Sequence, residues 1–84
     1  MWYLYVVECA DRSLYTGVTT DLERRLSEHN NSSKAAKYTR SRRPVKLVYA
    51  ETHENRSLAC KAESAFKKLS RKKKLEIIRE ASAL

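Results

Sequence analysis

The sequence predicts an α+β fold, a small three-stranded antiparallel sheet flanked by helices in the order ββαβαα. Three observations carry this. Aromatic and β-branched residues dominate "WYLYVVEC" (2–9), "LYTGVT" (14–19) and "VKLVYAET" (45–52). Apolar residues return at helical spacing in 21–30, 55–69 and 71–82. With 84 residues the chain is short enough for one small domain, 1–84, which buries only about 60–65% of its unfolded surface. Helices laid on an antiparallel sheet bury these faces with the least chain.

The first two strands are separated by "ADRS" (10–13), whose Asp11 and Ser13 are ordinary turn residues, so 2–19 reads as a hairpin. With a three-residue loop, 10–12, Tyr15 lies across from Val7 and Gly17 from Tyr5, all on one face. Thr20 and Glu23 form a capping box for a helix over 21–30, and Asp21 suits its first turn. Leu22 and Leu26 face the core, with Arg25 and His29 one turn apart on an adjacent stripe. Residues 30–43 lack an apolar period and read as a basic loop that Pro44 ends before the third strand. Asn55 or Ser57 caps a second helix to about Leu69, with Leu58, Ala62, Phe66 and Leu69 buried. Ser70 caps the last helix, 71–82, with Leu75, Ile78 and Ala81 inward.

Charge narrows the classes of partner. Lys and Arg number 18 against 10 Asp and Glu, a net +8. From His29 to Ala50 there is no acidic residue, and Lys34, Lys37, Arg40, Arg42, Arg43 and Lys46 fall there. A second cluster comprises Lys67, Lys68 and the run Arg71, Lys72, Lys73, Lys74. Such an excess favours nucleic acid over an anionic membrane, the plain alternative being a solvated, solubilising surface. No stretch approaches the ~20 apolar residues of a membrane span, and the N-terminus lacks a signal-peptide pattern. Cys9 and Cys60 have neither CxxC nor Cys/His metal spacing and read as reduced thiols in a cytoplasmic protein.

Taken singly, each candidate residue has an ordinary structural use. Gly17, the only glycine, relieves a bulge or a close backbone approach, or leaves room beside Tyr5 and Tyr15 for a substrate. On the second view a side chain at position 17 costs little stability and abolishes activity. Tyr5 and Tyr15 fill a core, or keep hydroxyls that need partners. Arg25 and His29 are surface groups, and Glu63 is an i,i+4 partner of Lys67.

Together, "YLY" at 3–5, "YTG" at 15–17, Arg25, His29 and the later Glu63 resemble the GIY-YIG endonuclease domain over nearly the whole chain. The short length is similar to that of the small stand-alone bacterial members. Tyr3 stands where the first motif names glycine and Thr16 where the second names isoleucine. The asparagine that many family nucleases carry late has no counterpart, Arg79 and Glu80 lying there instead.

The resemblance implies hydrolysis of DNA phosphodiester bonds, structure-selective and serving repair or recombination. Tyr5 or Tyr15 then deprotonates or orients the water. An unperturbed phenol near pKa 10 serves as a base only in a strongly cationic site. Arg25 grips the phosphate, His29 bonds a phosphate oxygen or assists Tyr15, and Glu63 holds one Mg²⁺ or Mn²⁺. Gly17, Lys37, Tyr38, Arg40, Arg42, Arg43 and Lys67 are the expected nucleic-acid contacts. Long sequence specificity then calls for a protein partner. Two other readings remain open, a nucleic-acid-binding module with weak or lost catalysis and a basic RNA- or ribosome-associated protein without an active site.

Overall fold

The computed structural model describes residues 1–82. Its elements run β1 (Trp2–Glu8), β2 (Leu14–Thr19), α1 (Leu22–Asn31), α2 (Lys37–Arg40), β3 (Lys46–His53), α3 (Arg56–Lys67) and α4 (Arg71–Ser82). The α+β architecture is as expected, with one helical turn, α2, inside the segment read as loop. Four residues are too few to leave a periodic trace.

The sheet order is β2-β1-β3, both pairings antiparallel. β1 is central because its apolar run, Leu4 to Val7, buries both faces. The hairpin register places Tyr5 opposite Gly17 and Val7 opposite Tyr15, as the loop length implied. Arg12, at φ 72°, makes the left-handed step that closes this loop.

Alternation along β1 sends side chains to two separate cores. Tyr5, Val7, Cys9 and Val45 pack with Tyr15 and with Leu22 and Leu26 of α1. Leu4 and Val6 pack with Phe66 and, around them, Ala62, Leu69, Ile77 and Ile78 of the α3–α4 side. The sheet therefore lies between α1 on one face and α3 with α4 on the other.

Three details correct the sequence reading. Asp21, not Thr20, caps α1, accepting from Arg24 N–H at 3.1 Å, while Thr19 accepts from Asp21 N–H at 3.1 Å. The cap slips by one residue because Asp serves as well as Thr there. On α3, capped by Asn55, the buried stripe begins at Ala59 (0% exposed) while Leu58 remains 42% exposed. The methyl group of alanine lets the helix approach the sheet closely. On α4, Ala81 is exposed, and Ile77 joins Ile78 against the core.

Candidate active site

The site grows from Tyr5, in the middle of the central strand. Its hydroxyl lies over Gly17, so close that a Cβ at 17 would come within 2.6 Å of the phenolic oxygen. The space that glycine frees is thus filled by a tyrosine ring and is not open to a phosphate, which corrects the expectation for Gly17. A β-carbon there would push Tyr5 out of its place.

Tyr5 Oη lies 2.8 Å from His29 Nε2. His29, on the last turn of α1, is wholly buried, and its Nδ1 sits 2.7 Å from Thr39 Oγ1 of α2. Thr39 donates its own hydroxyl hydrogen to the Ala36 carbonyl at 3.0 Å. With that hydrogen on the Ala36 carbonyl, which also accepts from the Thr39 and Arg40 N–H groups, the hydroxyl oxygen faces Nδ1 with a lone pair. This arrangement suits the Nδ1–H tautomer, with Nε2 accepting the Tyr5 O–H. Burial, aided by Arg25, pushes the His29 pKa down to about 4, so the ring is neutral at pH 7. With both nitrogens engaged inside the protein, His29 does not reach a phosphate oxygen. It holds Tyr5 instead.

Arg25, also on α1, donates Nε–H to Tyr5 Oη at 3.4 Å, and Nη1–H to Glu28 at 3.0 Å and to the Lys34 carbonyl at 2.9 Å. Burial works against its charge, but the bonds to Tyr5 and Glu28 outweigh that and hold its pKa above the ordinary value. Two edges of the guanidinium are thus committed to fixing its plane, and Nη2 is left for an anion. Burial raises the Tyr5 phenol, with Arg25 opposing and Glu63 adding to the rise, so Tyr5 is a neutral hydroxyl at pH 7.

Tyr15 lies edge-on to His29, with ring centres 5.4 Å apart, and stacks on Tyr38 of α2 at 6.1 Å. It is half-buried and lines an open cleft of about 240 Å³ with Leu14, Thr16, Tyr38, Lys67 and Lys74. Lys67 carries the connection onward to Glu63, whose Oε2 it meets at 3.3 Å. The Glu63 charge is also felt at Tyr5, where it adds to the rise of the phenol.

The basic loop divides by function. Lys37, Tyr38, Arg40, Ser41 and Arg42 line a second open cleft of about 630 Å³ that shares Tyr38 with the first. Arg42 lies over Tyr38, its Cζ 3.9 Å from the ring centre, with hydrogen bonds to Asp11 and the Tyr38 carbonyl. Arg40 donates to the Ser33 carbonyl. Arg43, by contrast, donates to the carbonyls of Glu28, His29 and Ser32 and so closes the C-terminus of α1. That is a structural use, against the expected nucleic-acid contact. Thr39 and Lys74 were not among the candidates. A lone threonine in a basic segment gives no periodic signal, and Lys74 was legible only as part of a charge run.

Among the described residues no group of three or more His, Cys, Asp or Glu side chains could hold a metal ion. The donor set available is the single Glu63 carboxylate, paired with Lys67 of the open cleft. That fits Mg²⁺ or Mn²⁺, bound largely by water and substrate phosphate with one protein carboxylate, and does not fit an ion needing a protein cage. Among the described residues no helix is long and apolar enough to cross a membrane.

Comparison with known proteins follows the same lines. The family model of the GIY-YIG catalytic domain matches residues 1–76. A UPF0213 protein of Desulfotalea psychrophila is 55% identical over 78 residues, 93% of this chain and 71% of that protein. One from Streptococcus sanguinis is 53% identical over 78 residues, 93% of this chain and 88% of the other. Two solution NMR structures share the fold. A UPF0213 protein from Bacillus halodurans matches with TM-score 0.60 and 44% identity, over 94% of this chain and 84% of that one. A protein from E. faecalis matches with TM-score 0.64 and 49% identity, over 98% of this chain and 86% of that one.

Proposed function

The chain belongs to the GIY-YIG family of nucleases, and from that premise we propose that it is a divalent-metal-dependent endonuclease hydrolysing DNA phosphodiester bonds. The observation that carries the reading is the joining of Tyr5, Tyr15, Arg25 and His29 in one contact network, whose Tyr15 lines a cleft with Lys67 and Lys74, while Lys67 pairs with Glu63.

Each residue then has a role its surroundings support. Arg25, held in plane by Tyr5 and Glu28, offers Nη2–H to a non-bridging phosphate oxygen. Tyr15, half-buried on the cleft wall, orients the attacking water. Tyr5 is the weaker candidate for that task. Its phenol is raised by burial and its O–H is committed to His29, so it serves as the anchor of Arg25. Glu63 is the carboxylate that would hold Mg²⁺ or Mn²⁺, which supplies an acidified water and neutralises charge on the phosphate. Lys67 and Lys74 on one side, with Lys37 and Arg40 beyond Tyr38, would hold the backbone of the strand. With no further recognition surface assigned, selectivity for a repair or recombination structure would come from DNA shape or a protein partner.

The Lys67–Glu63 pair favours one competing reading, in which the carboxylate is neutralised and the fold only binds nucleic acid. A labelled panel of single-stranded, duplex, flap and four-way-junction DNA and of RNA, with Mg²⁺ or Mn²⁺, separates the two. Metal-dependent cutting of DNA by the wild type that Glu63→Ala abolishes is expected. Salt-sensitive binding without cutting, equal in both proteins, would leave only the binding module.

A further inference from the structure

From the chain of hydrogen bonds that runs through α2, we infer that Thr39 is a positioning residue for Arg25, acting by fixing the tautomer of His29. The inference rests on the proposed role of Arg25 as the phosphate clamp. Thr39 is 0% exposed, so it touches no substrate. Its hydroxyl hydrogen goes to the Ala36 carbonyl, and its oxygen therefore meets His29 as an acceptor only. This geometry assigns the imidazole hydrogen to Nδ1, so that Nε2 takes the hydrogen of Tyr5. The Tyr5 oxygen, its hydrogen spent on Nε2, then keeps its lone pairs for Arg25 Nε–H.

Loss of the acceptor at position 39 reverses this polarity. With its hydrogen on Nε2 the ring donates to Tyr5, and the displaced phenolic hydrogen is free to turn toward Arg25 Nε–H. His29 Nε2–H and Arg25 Nε–H then compete for the one phenolic oxygen, whose hydrogen has no assigned acceptor, and the long 3.4 Å anchor of the guanidinium is weakened. Thr39 lies between Tyr38 and Arg40 on the turn that borders both clefts. The basic turn that would meet the strand is thus joined to the phosphate clamp through His29 and Tyr5.

The test is the protonation of the His29 ring nitrogens at pH 7, read by long-range ¹H–¹⁵N correlation, together with single-turnover DNA cleavage. Wild type and Thr39→Ser should both show Nδ1–H with bare Nε2. The near-isosteric Thr39→Val should shift toward Nε2–H, and its cleavage should fall about tenfold or more while Thr39→Ser restores it, the size expected for a partner that orients a histidine. Nε2–H in the wild type, an unchanged tautomer in Thr39→Val, or a changed tautomer with undiminished cleavage would each overturn the inference. Should Thr39→Val not fold, Thr39→Ala, which also lacks the hydroxyl, takes its place with the same expected shift and loss. A wild type that shows Nδ1–H and cuts nothing would contradict the nuclease reading while upholding the hold of Thr39 on His29.

Discussion

The two faces of β1 are built from neighbouring residues and do opposite work. Leu4 and Val6 turn toward Phe66 and a surround of aliphatic side chains from α3 and α4, a dry interior held by packing alone. Tyr5, between them in sequence, turns the other way into a chain of directed bonds through His29 to Thr39 and to Arg25. It is nearly as buried, at 3% exposed. A core of the first kind tolerates exchange of one hydrocarbon for another. A core of the second kind fixes donors and acceptors and so can aim a guanidinium at a phosphate.

Changes on the packed face should cost stability and spare chemistry. Phe66→Ala is expected to lower unfolding free energy by about 3–5 kcal/mol in urea titration, since Phe66 is 6% exposed. Cleavage per folded molecule should survive it. Loss of activity out of proportion to unfolding would erase the distinction between the faces.

On the bonded face the largest stability effect should come with acid. His29 titrates at about 4 in the fold against an ordinary 6.5. Between those values the unfolded chain binds the extra proton, so this contribution is complete above pH 6.5 and drains away as pH falls toward 4. The difference amounts to about 3 kcal/mol at roughly 1.4 kcal/mol per unit. Urea midpoints measured across that window should show it, and His29→Gln should flatten the slope.

Gly17→Ala probes the contact between β2 and the site. With a β-carbon 2.6 Å from Tyr5 Oη, a loss of roughly 1–3 kcal/mol is expected, along with displacement of the tyrosine. Thermal melts and the chemical shifts of His29 would register both. The smallest effect should be that of Leu58→Ala, within about 0.5 kcal/mol by the same melts, because that side chain is 42% exposed.

Strands, sheet faces and the Tyr5–Gly17 and Val7–Tyr15 pairs were legible because alternation and a short turn leave few registers. Helix phases were less so. Leu58 carries more hydrophobicity than Ala59, yet close approach to the sheet favours the smaller residue inside. Glu63 with Lys67 followed from helical spacing alone. The basic segment was the least legible part. Its charges suggested contacts for every arginine, whereas Arg43 is spent on the carbonyls of α1, and the uncharged Thr39 connects α2 to the site. Both assignments depend on where the segment folds back against α1, which no local pattern encodes.

Tyr5→Phe tests most directly whether the bonded face is the working one, since it removes a single oxygen from between Arg25 and His29 and keeps the ring. Single-turnover cleavage of the preferred DNA, measured where both proteins are folded, is expected to fall about tenfold or more, as when a positioning group is displaced. A Tyr5→Phe protein that cuts as fast as the wild type would contradict the claim that this network aims Arg25 at the phosphate.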